Sequence, residues 1–68
     1  MNFARDLYNK LTSEQWELCS YYVNKAQDYY DADKFSSARE SLYDAIAVCL
    51  SKGEDSAAGK IQYYLRFC

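Results

Sequence analysis

The stretch AQDYYDADKFSSARESLYDA, residues 26–45, decides the fold because it carries small side chains at helical spacing on both sides of a short polar link. Ala26 precedes the link, and Ala38 and Ala45 follow it, seven residues apart. Alanine at such positions lets two helix backbones approach closely, while larger side chains such as Phe35 fill the surrounding space. Because the link is short, the two helices must run antiparallel. The stretch therefore predicts a helical hairpin at the centre of the chain.

The residues around the hairpin mark where its helices begin and end. Thr12 followed three residues later by Gln15 forms a capping-box pattern, so a helix should start at about residue 13. Asp33 is expected to be the N-cap of the next helix, and Gly53 suits a left-handed C-cap at the end of that helix. Gly59 should weaken the last helix unless a neighbour packs closely against it.

Local preferences favour helix throughout the chain, because proline is absent and glycine occurs only twice. A short amphipathic pattern with Phe3, Leu7 and Leu11 on one face precedes the capping box, and it is short enough to fray alone. We predict an all-α fold, a small antiparallel helical bundle that forms a single domain over residues 1–68. Its three main helices are expected at about residues 13–31, 34–51 and 54–67, with a short N-terminal helix at about residues 2–10.

Composition and charge argue against several classes of function. The net charge is −2 and the eight Lys and Arg residues are scattered, so no basic surface for nucleic acid is expected. The longest apolar run, residues 45–50, is far too short to cross a bilayer, and the N-terminus does not resemble a signal peptide. We therefore expect no membrane insertion and a cytoplasmic location. Three widely spaced cysteines, Cys19, Cys49 and Cys68, favour reduced thiols.

The sequence lacks the residue patterns that usually support catalysis. The chain has no histidine, which is the commonest general base and transition-metal ligand. Asp31 and Asp33 have the spacing of the first two ligands in an EF-hand, but Ser36 stands where that loop needs glycine and Leu42 where it needs glutamate. No glycine-rich phosphate loop is present. We expect no enzyme activity, no metal and no cofactor.

Tyrosine is the most unusual feature of the composition, with eight residues, six of them in adjacent pairs. Adjacent residues on a helix point about 100° apart, so only one member of each pair can face the core. The other rings either enlarge a small core with their hydroxyls reaching water, or form a contact patch for a partner. The candidates for such a partner-binding patch are Tyr21, Tyr30, Tyr43 and Tyr63. Trp16 is expected in the core.

The hairpin resembles that of a tetratricopeptide repeat, a motif with a period of about 34 residues. Five residues stand at the spacings that this motif uses: Ala26, Tyr29, Phe35, Ala38 and Ala45. Trp16 does not fit the tryptophan position of the repeat, and Gly59 begins only an imperfect second copy. The resemblance implies a single helical hairpin without a tandem array.

The chain is also similar to the microtubule-interacting and trafficking domain, a three-helix bundle, over about residues 16–67. The matching residues are Ala26, Asp33, Phe35, Ala38 and Tyr43 for the first two helices, and Ile61, Tyr64 and Leu65 for the third. The resemblance implies a groove, formed mainly by the third helix and a neighbour, that receives a partner's helical peptide. Cys68 stands where that family usually has an acidic residue, and the N-terminal helix is additional.

These observations favour a non-catalytic protein–protein interaction module, an adaptor or an inhibitor, that presents an aromatic helical face to a protein partner. The acidic side chains of residues 28–33 would supply steering charge. Two alternatives remain open. One is an obligate homodimeric structural unit, since the core of a single copy is small. The other is a virus- or phage-encoded inhibitor of a host protein, suggested by a short chain that begins with Met and lacks catalytic equipment.

Overall fold

The computed structural model describes all residues 1–68 and contains helices without strands, which confirms the predicted all-α bundle. The elements are α1 (Phe3–Lys10), α2 (Ser13–Asp31), α3 (Phe35–Ser51), α4 (Asp55–Gln62) and a closing 3-10 turn (Tyr63–Phe67). The last helix predicted at about residues 54–67 is confirmed, and its final five residues tighten into 3-10 geometry, as helix C-termini often do. None of these helices combines the length and the apolar composition that a membrane span requires.

The hairpin of α2 and α3 forms the centre of the bundle. Ala26, Ala38 and Ala45 are fully buried, as expected of small residues where two helix backbones approach. Val23 on α2 and Leu42 on α3 are also fully buried and belong to the hydrophobic core. The hairpin predicted from residues 26–45 is thus confirmed, and α4 packs against α3 on one side of it.

The start of α2 is held by the predicted capping box. The Gln15 amide donates to Thr12 Oγ1 at 3.2 Å, and the Thr12 amide donates to Gln15 Oε1 at 3.1 Å. Gln15 has a second role that the pattern does not reveal, because its Nε2 donates to Glu54 Oε1 at 3.0 Å. This bond ties the beginning of α2 to the residue that precedes α4.

The link between α2 and α3 differs from the expectation in one respect, since Asp33 does not cap α3. Its backbone adopts a left-handed φ of 61°, and no side chain caps the first turn of α3. Asp33 instead closes α2 in a Schellman motif, with its amide donating to the Tyr30 carbonyl and the Lys34 amide donating to the Tyr29 carbonyl. Ending α2 this way requires a left-handed residue, and aspartate tolerates that conformation better than most. The prediction that Asp33 is an N-cap was wrong.

Helix α1 folds back beside α2 and lies in the groove between α2 and α4. Phe3 and Leu7, one turn apart on the same face, are both fully buried there. Gln27 holds the first turn of α1, because the Ala4 amide donates to Gln27 Oε1 at 3.1 Å and Gln27 Nε2 donates to the Met1 carbonyl at 3.0 Å. The short N-terminal helix is therefore part of the core.

Candidate protein-binding surface

A continuous network of aromatic rings crosses the bundle through Phe3. The Phe3 ring meets Tyr30 edge-on with centroids 5.6 Å apart, and it meets Tyr64 at 6.0 Å. Beyond Tyr30 the network continues to Phe35 at 5.3 Å, and beyond Tyr64 it continues to Tyr63 at 5.1 Å. Offset and edge-to-face ring pairs at such distances contribute stability beyond that from burying their apolar surface. The exposed rings at the C-terminal end of the network therefore rest on a packed aromatic base.

The 3-10 turn arranges its own side chains in stacked pairs, because residues three apart eclipse one another in this geometry. Tyr63 lies beneath Arg66, with the guanidinium carbon 4.6 Å from the ring centroid. Tyr64 lies beside Phe67 in the same way, with centroids 6.2 Å apart. Tyr63 and Phe67 also contact each other at 5.7 Å, and they remain 47% and 38% exposed. Two neighbouring rings thus present apolar surface to solvent.

Cationic groups flank these two rings. The Lys10 ammonium lies 5.8 Å from the Tyr63 centroid and donates a hydrogen bond to Tyr64 Oη at 2.9 Å. Lys60 Nζ donates to the Lys10 carbonyl at 3.2 Å, so a second ammonium lies near the end of α1. The C-terminal aromatic surface is defined here as Lys10, Tyr63, Arg66 and Phe67. A shallow cleft of about 430 Å³ opens beside Tyr63 and Arg66.

The four tyrosines predicted as a patch are not in ring contact with one another. Tyr63 belongs to the C-terminal aromatic surface. Tyr30 is half-buried in the ring network, where it connects to Tyr63 only through intervening rings. Tyr21 on α2 and Tyr43 on α3 are 67% and 54% exposed, and Tyr21 packs edge-on against Tyr22.

Sequence reasoning missed three members of the surface, namely Lys10, Arg66 and Phe67. A signal for two of them is present, since Arg66 and Phe67 follow Tyr63 by three and four residues and so share its side of a helical turn. Lys10 has no such signal, because it reaches Tyr63 only after α1 has folded back against the rest of the chain.

A second aromatic pair lies near the start of α2. Tyr8 meets Trp16 edge-on with centroids 5.4 Å apart. Trp16 was expected in the core, but it is only half-buried and packs against the edge of the core. Two shallow clefts border this pair, both open to solvent.

All three cysteine thiols have a raised pKa. Cys19 and Cys49 are fully buried at the α2–α3 interface. Burial raises the pKa of the Cys19 thiol to about 12, and the neighbouring Cys49 contributes to that rise. Burial also raises the pKa of the Cys68 thiol, an effect that the nearby Arg39 partly opposes. A thiol with a raised pKa is a poor nucleophile at neutral pH.

No three His, Cys, Asp or Glu side chains come together in a way that could hold a metal ion. Every buried side-chain nitrogen and oxygen has a hydrogen-bond partner. The acidic residues Asp28, Asp31 and Asp33 lie exposed at the end of α2 and the link that follows it, where Asp31 accepts a bond from Gln27 at 2.8 Å.

No protein family model, curated protein or solved structure matches this chain. The resemblance to tetratricopeptide repeats and to microtubule-interacting and trafficking domains stays a prediction. The groove that the second resemblance implies involves the third main helix, α4, and a neighbour. On the side of α4 that faces α2, α1 itself occupies the place where a partner's peptide would bind in such a groove.

Proposed function

We propose that this chain is a non-catalytic protein-interaction module of the cytoplasm, an adaptor or inhibitor, that binds its partner through the C-terminal aromatic surface. The observation that carries the proposal is the contact between Tyr63 and Phe67, two rings 5.7 Å apart that are both substantially exposed. Exposed aromatic rings that touch each other are costly to leave in water, and they are the side chains that most often anchor protein interfaces.

Rigidity distinguishes this surface from the exposed Tyr43. Tyr63 and Phe67 both rest on Tyr64, which is almost fully buried and fixed by Lys10. Rings that are already ordered lose little conformational entropy on binding. Tyr43 has no aromatic neighbour of this kind, and it makes a less favourable anchor.

Charge defines the chemistry of the partner. Lys10 and Arg66 flank the rings, and Lys60 lies near Lys10. One carboxylate, that of Asp6, lies 3.5 Å from Tyr64 Oη, so cations outnumber anions around the rings although the whole chain carries a net charge of −2. An amphipathic helical peptide with apolar side chains on one face and carboxylates beside them matches both features.

The test is a selection from displayed helical peptides against the full chain. All library members carry Leu or Phe at positions four residues apart, and the remaining positions carry either Glu or Lys. We expect the Glu-bearing peptides to be enriched. Their affinity should fall at least about tenfold for the Tyr63→Ala/Phe67→Ala variant, as for the loss of anchor residues.

The matched control is Tyr21→Ala/Tyr43→Ala, which removes two rings that lie elsewhere and are more exposed than Tyr63 and Phe67. Binding should be unchanged in this variant. Circular dichroism of both variants must show an intact helical fold. Enrichment of the Lys-bearing peptides, or binding that depends on Tyr21 and Tyr43, would contradict the proposal.

A further inference from the structure

We propose that Cys19 and Cys49 are a redox-active pair, which a small disulfide oxidant such as glutathione disulfide converts into an intramolecular disulfide that covalently joins α2 to α3. The inference concerns the interior of the hairpin rather than the C-terminal aromatic surface, and it does not depend on the proposed partner-binding function. It rests on the register of the hairpin, on the contact between the two thiols and on the close approach of the two helices.

The register of the hairpin places the two cysteines level with each other. Cys19 lies 12 residues before the end of α2 at Asp31, and Cys49 lies 14 residues after the start of α3 at Phe35. At a rise of about 1.5 Å per residue, the difference amounts to about 3 Å along two antiparallel helices. Both cysteines are fully buried. Each continues the fully buried stripe of its helix, which includes Val23 and Ala26 on α2 and Leu42 and Ala45 on α3.

The two thiols are neighbours in the interior of the bundle, where they share a hydrogen bond. Cys68 is not part of this contact. Its carbonyl accepts a hydrogen bond from Arg39, which lies about 15 Å from Cys49 along α3 at the usual helical rise. A bridge between Cys19 and Cys49 thus requires two sulfurs in hydrogen-bond contact to close to a bonding distance of about 2.05 Å.

The backbones of α2 and α3 can accommodate such a bridge. A disulfide usually joins residues whose Cα atoms are about 4.4–6.8 Å apart. Packed helices have axes about 8–10 Å apart and carry their Cα atoms at a radius of about 2.3 Å, so facing Cα atoms are separated by roughly 5 Å. The fully buried Ala26 and Ala45 favour the short end of the range of axial distances. The closed hairpin can therefore hold the disulfide.

The oxidation balances with glutathione disulfide as the oxidant. One cysteine thiolate attacks a sulfur of glutathione disulfide, forms a mixed disulfide and releases a first glutathione thiolate. The other cysteine thiolate then attacks the cysteine sulfur of the mixed disulfide, forms the Cys19–Cys49 bond and releases a second glutathione thiolate. The protons of the two cysteine thiols pass to the two released thiolates. Two cysteine thiols are oxidised, and one glutathione disulfide is reduced to two molecules of glutathione.

Burial controls when this reaction occurs. It raises the pKa of both thiols, so both stay protonated and out of reach while the hairpin is closed. Both cysteines lie toward the end of the hairpin that is farther from the link, and Cys49 is only two residues from the last residue of α3. That end can open locally while the link stays intact. Once formed, the buried disulfide is equally out of reach of reductants, so it forms slowly and is released slowly.

The first test detects the bond by mass spectrometry. The chain carries Cys68→Ser, which removes the partly exposed thiol, and is incubated with glutathione disulfide under native conditions. We expect a monomeric product that is lighter by the mass of two hydrogen atoms. Trypsin without reductant should then release residues 11–25 joined to residues 40–52.

The matched controls are Cys19→Ala and Cys49→Ala in the same Cys68→Ser background. Each control keeps one thiol of the pair and should stop at the mixed disulfide with glutathione. If the chain with both cysteines also stops at the mixed disulfide, the proposal is overturned. The same holds if its thiols stay unmodified under native conditions while the urea-unfolded chain reacts.

The second test measures whether the fold favours the bond. Glutathione redox buffers give the equilibrium constant of disulfide formation, both in the native chain and in the chain unfolded by guanidinium. A bridge that stabilises the folded hairpin is itself favoured by folding, because the two equilibria are linked. The native constant should therefore exceed the unfolded one at least about a hundredfold. Equal constants, or a larger one in the unfolded chain, would mean that the folded hairpin holds the cysteines apart.

The third test measures the effect of the bond on stability. In the Cys68→Ser background, the oxidised chain should melt at least about 10 °C above the reduced chain, and a reductant added to the unfolded chain should abolish the difference. Cys19→Ala/Cys49→Ala in the same background is the control, and its melting temperature should not depend on the oxidant. An oxidised chain that melts at or below the temperature of the reduced chain would contradict a bridge between α2 and α3.

Discussion

The ammonium group of Lys10 donates a hydrogen bond to the phenol oxygen of Tyr64 at 2.9 Å, and this contact joins α1 to the 3-10 turn near the C-terminus. The bond to Tyr64 is the main reason why the pKa of Lys10 is raised above its ordinary value of 10.5, and the nearby Asp6 adds to the effect. The side chain that orders the C-terminal aromatic surface is therefore also a titrating link between the two ends of the chain.

Stability should depend on the protonation of Lys10. A raised pKa means that the folded chain holds the proton more tightly than the unfolded chain, so the contribution is complete below the ordinary pKa and is lost as the pH rises through the folded value. We expect the urea midpoint of the wild type to decrease as the pH rises above about 10. The urea midpoint of the Lys10→Met variant should decrease less steeply over the same pH range. Unfolding followed by circular dichroism at a series of pH values measures both slopes.

Cys19 must be controlled for in that experiment. Its pKa is raised by burial to about 12, so it also lowers stability as the pH rises past the pKa of the unfolded thiol. The comparison is therefore repeated in a Cys19→Ala background. If Lys10→Met then shows the same slope as its parent, the Lys10–Tyr64 bond does not contribute to folding.

Truncation of Phe3 should show that α1 is part of the core. Phe3 is fully buried and contacts both Tyr30 and Tyr64, so Phe3→Ala should lower the free energy of unfolding by about 3–5 kcal/mol. The control is Tyr8→Ala on the same helix, at a site that is mostly exposed, and it should change stability far less. Chemical denaturation measures the difference. Equal effects of the two substitutions would mean that α1 docks only weakly.

The hairpin and its two outer boundaries, the start of α2 and the end of α3, could be predicted from sequence because their signals are local. Thr12 and Gln15 cap α2 through atoms three residues apart, and Gly53 ends α3 with a left-handed φ of 73°. The burial of Ala26 and Ala38 follows from helical spacing in the same way.

The contacts of α1 could not be predicted, because an amphipathic pattern indicates which face is buried and not what covers it. Phe3 lies 27 residues from Tyr30 in sequence and still farther from Tyr64, and nothing local connects them. For the same reason the C-terminal aromatic surface was recognised only at Tyr63. Its cationic side depends on the long-range approach of Lys10.

Two alanine substitutions at glycine should act in opposite directions. Gly59 lies within α4, and a Cβ added there would meet no atom within 4 Å, so Gly59→Ala should stabilise the protein by about 0.5–1 kcal/mol. Gly53 also has open space around it, but its φ of 73° disfavours any Cβ, and Gly53→Ala should destabilise by about 1–2 kcal/mol. Thermal melts of the two variants measure whether the melting temperature rises for Gly59→Ala and falls for Gly53→Ala. A gain at both positions would show that left-handed backbone strain is absent at Gly53.

Replacement of Asp33 by glycine should stabilise the hairpin. Asp33 carries the left-handed φ at the end of α2 that Gly53 carries at the end of α3, and glycine adopts it without strain. We expect Asp33→Gly to raise the unfolding free energy by up to about 1 kcal/mol. Asp28→Gly is the control, because it places glycine inside α2 at an exposed site and should destabilise by about 1 kcal/mol. Urea denaturation measures the free energy of unfolding of both variants. A loss of stability at both sites would show that glycine relieves no left-handed backbone strain at position 33.

The three thiols should differ in their reactivity toward an alkylating reagent. Cys19 and Cys49 are fully buried and their pKa values are raised by burial, whereas Cys68 is partly exposed. Alkylation requires a thiolate that the reagent can reach, so Cys68 should react first even though its own pKa is raised. Cys19 and Cys49 should react only when α2 and α3 separate, and therefore at one common rate that rises with urea. Mass spectrometry of peptides sampled over time measures the three rates. Rapid labelling of Cys19 without urea would mean that the hairpin opens far more readily than its packed alanines imply.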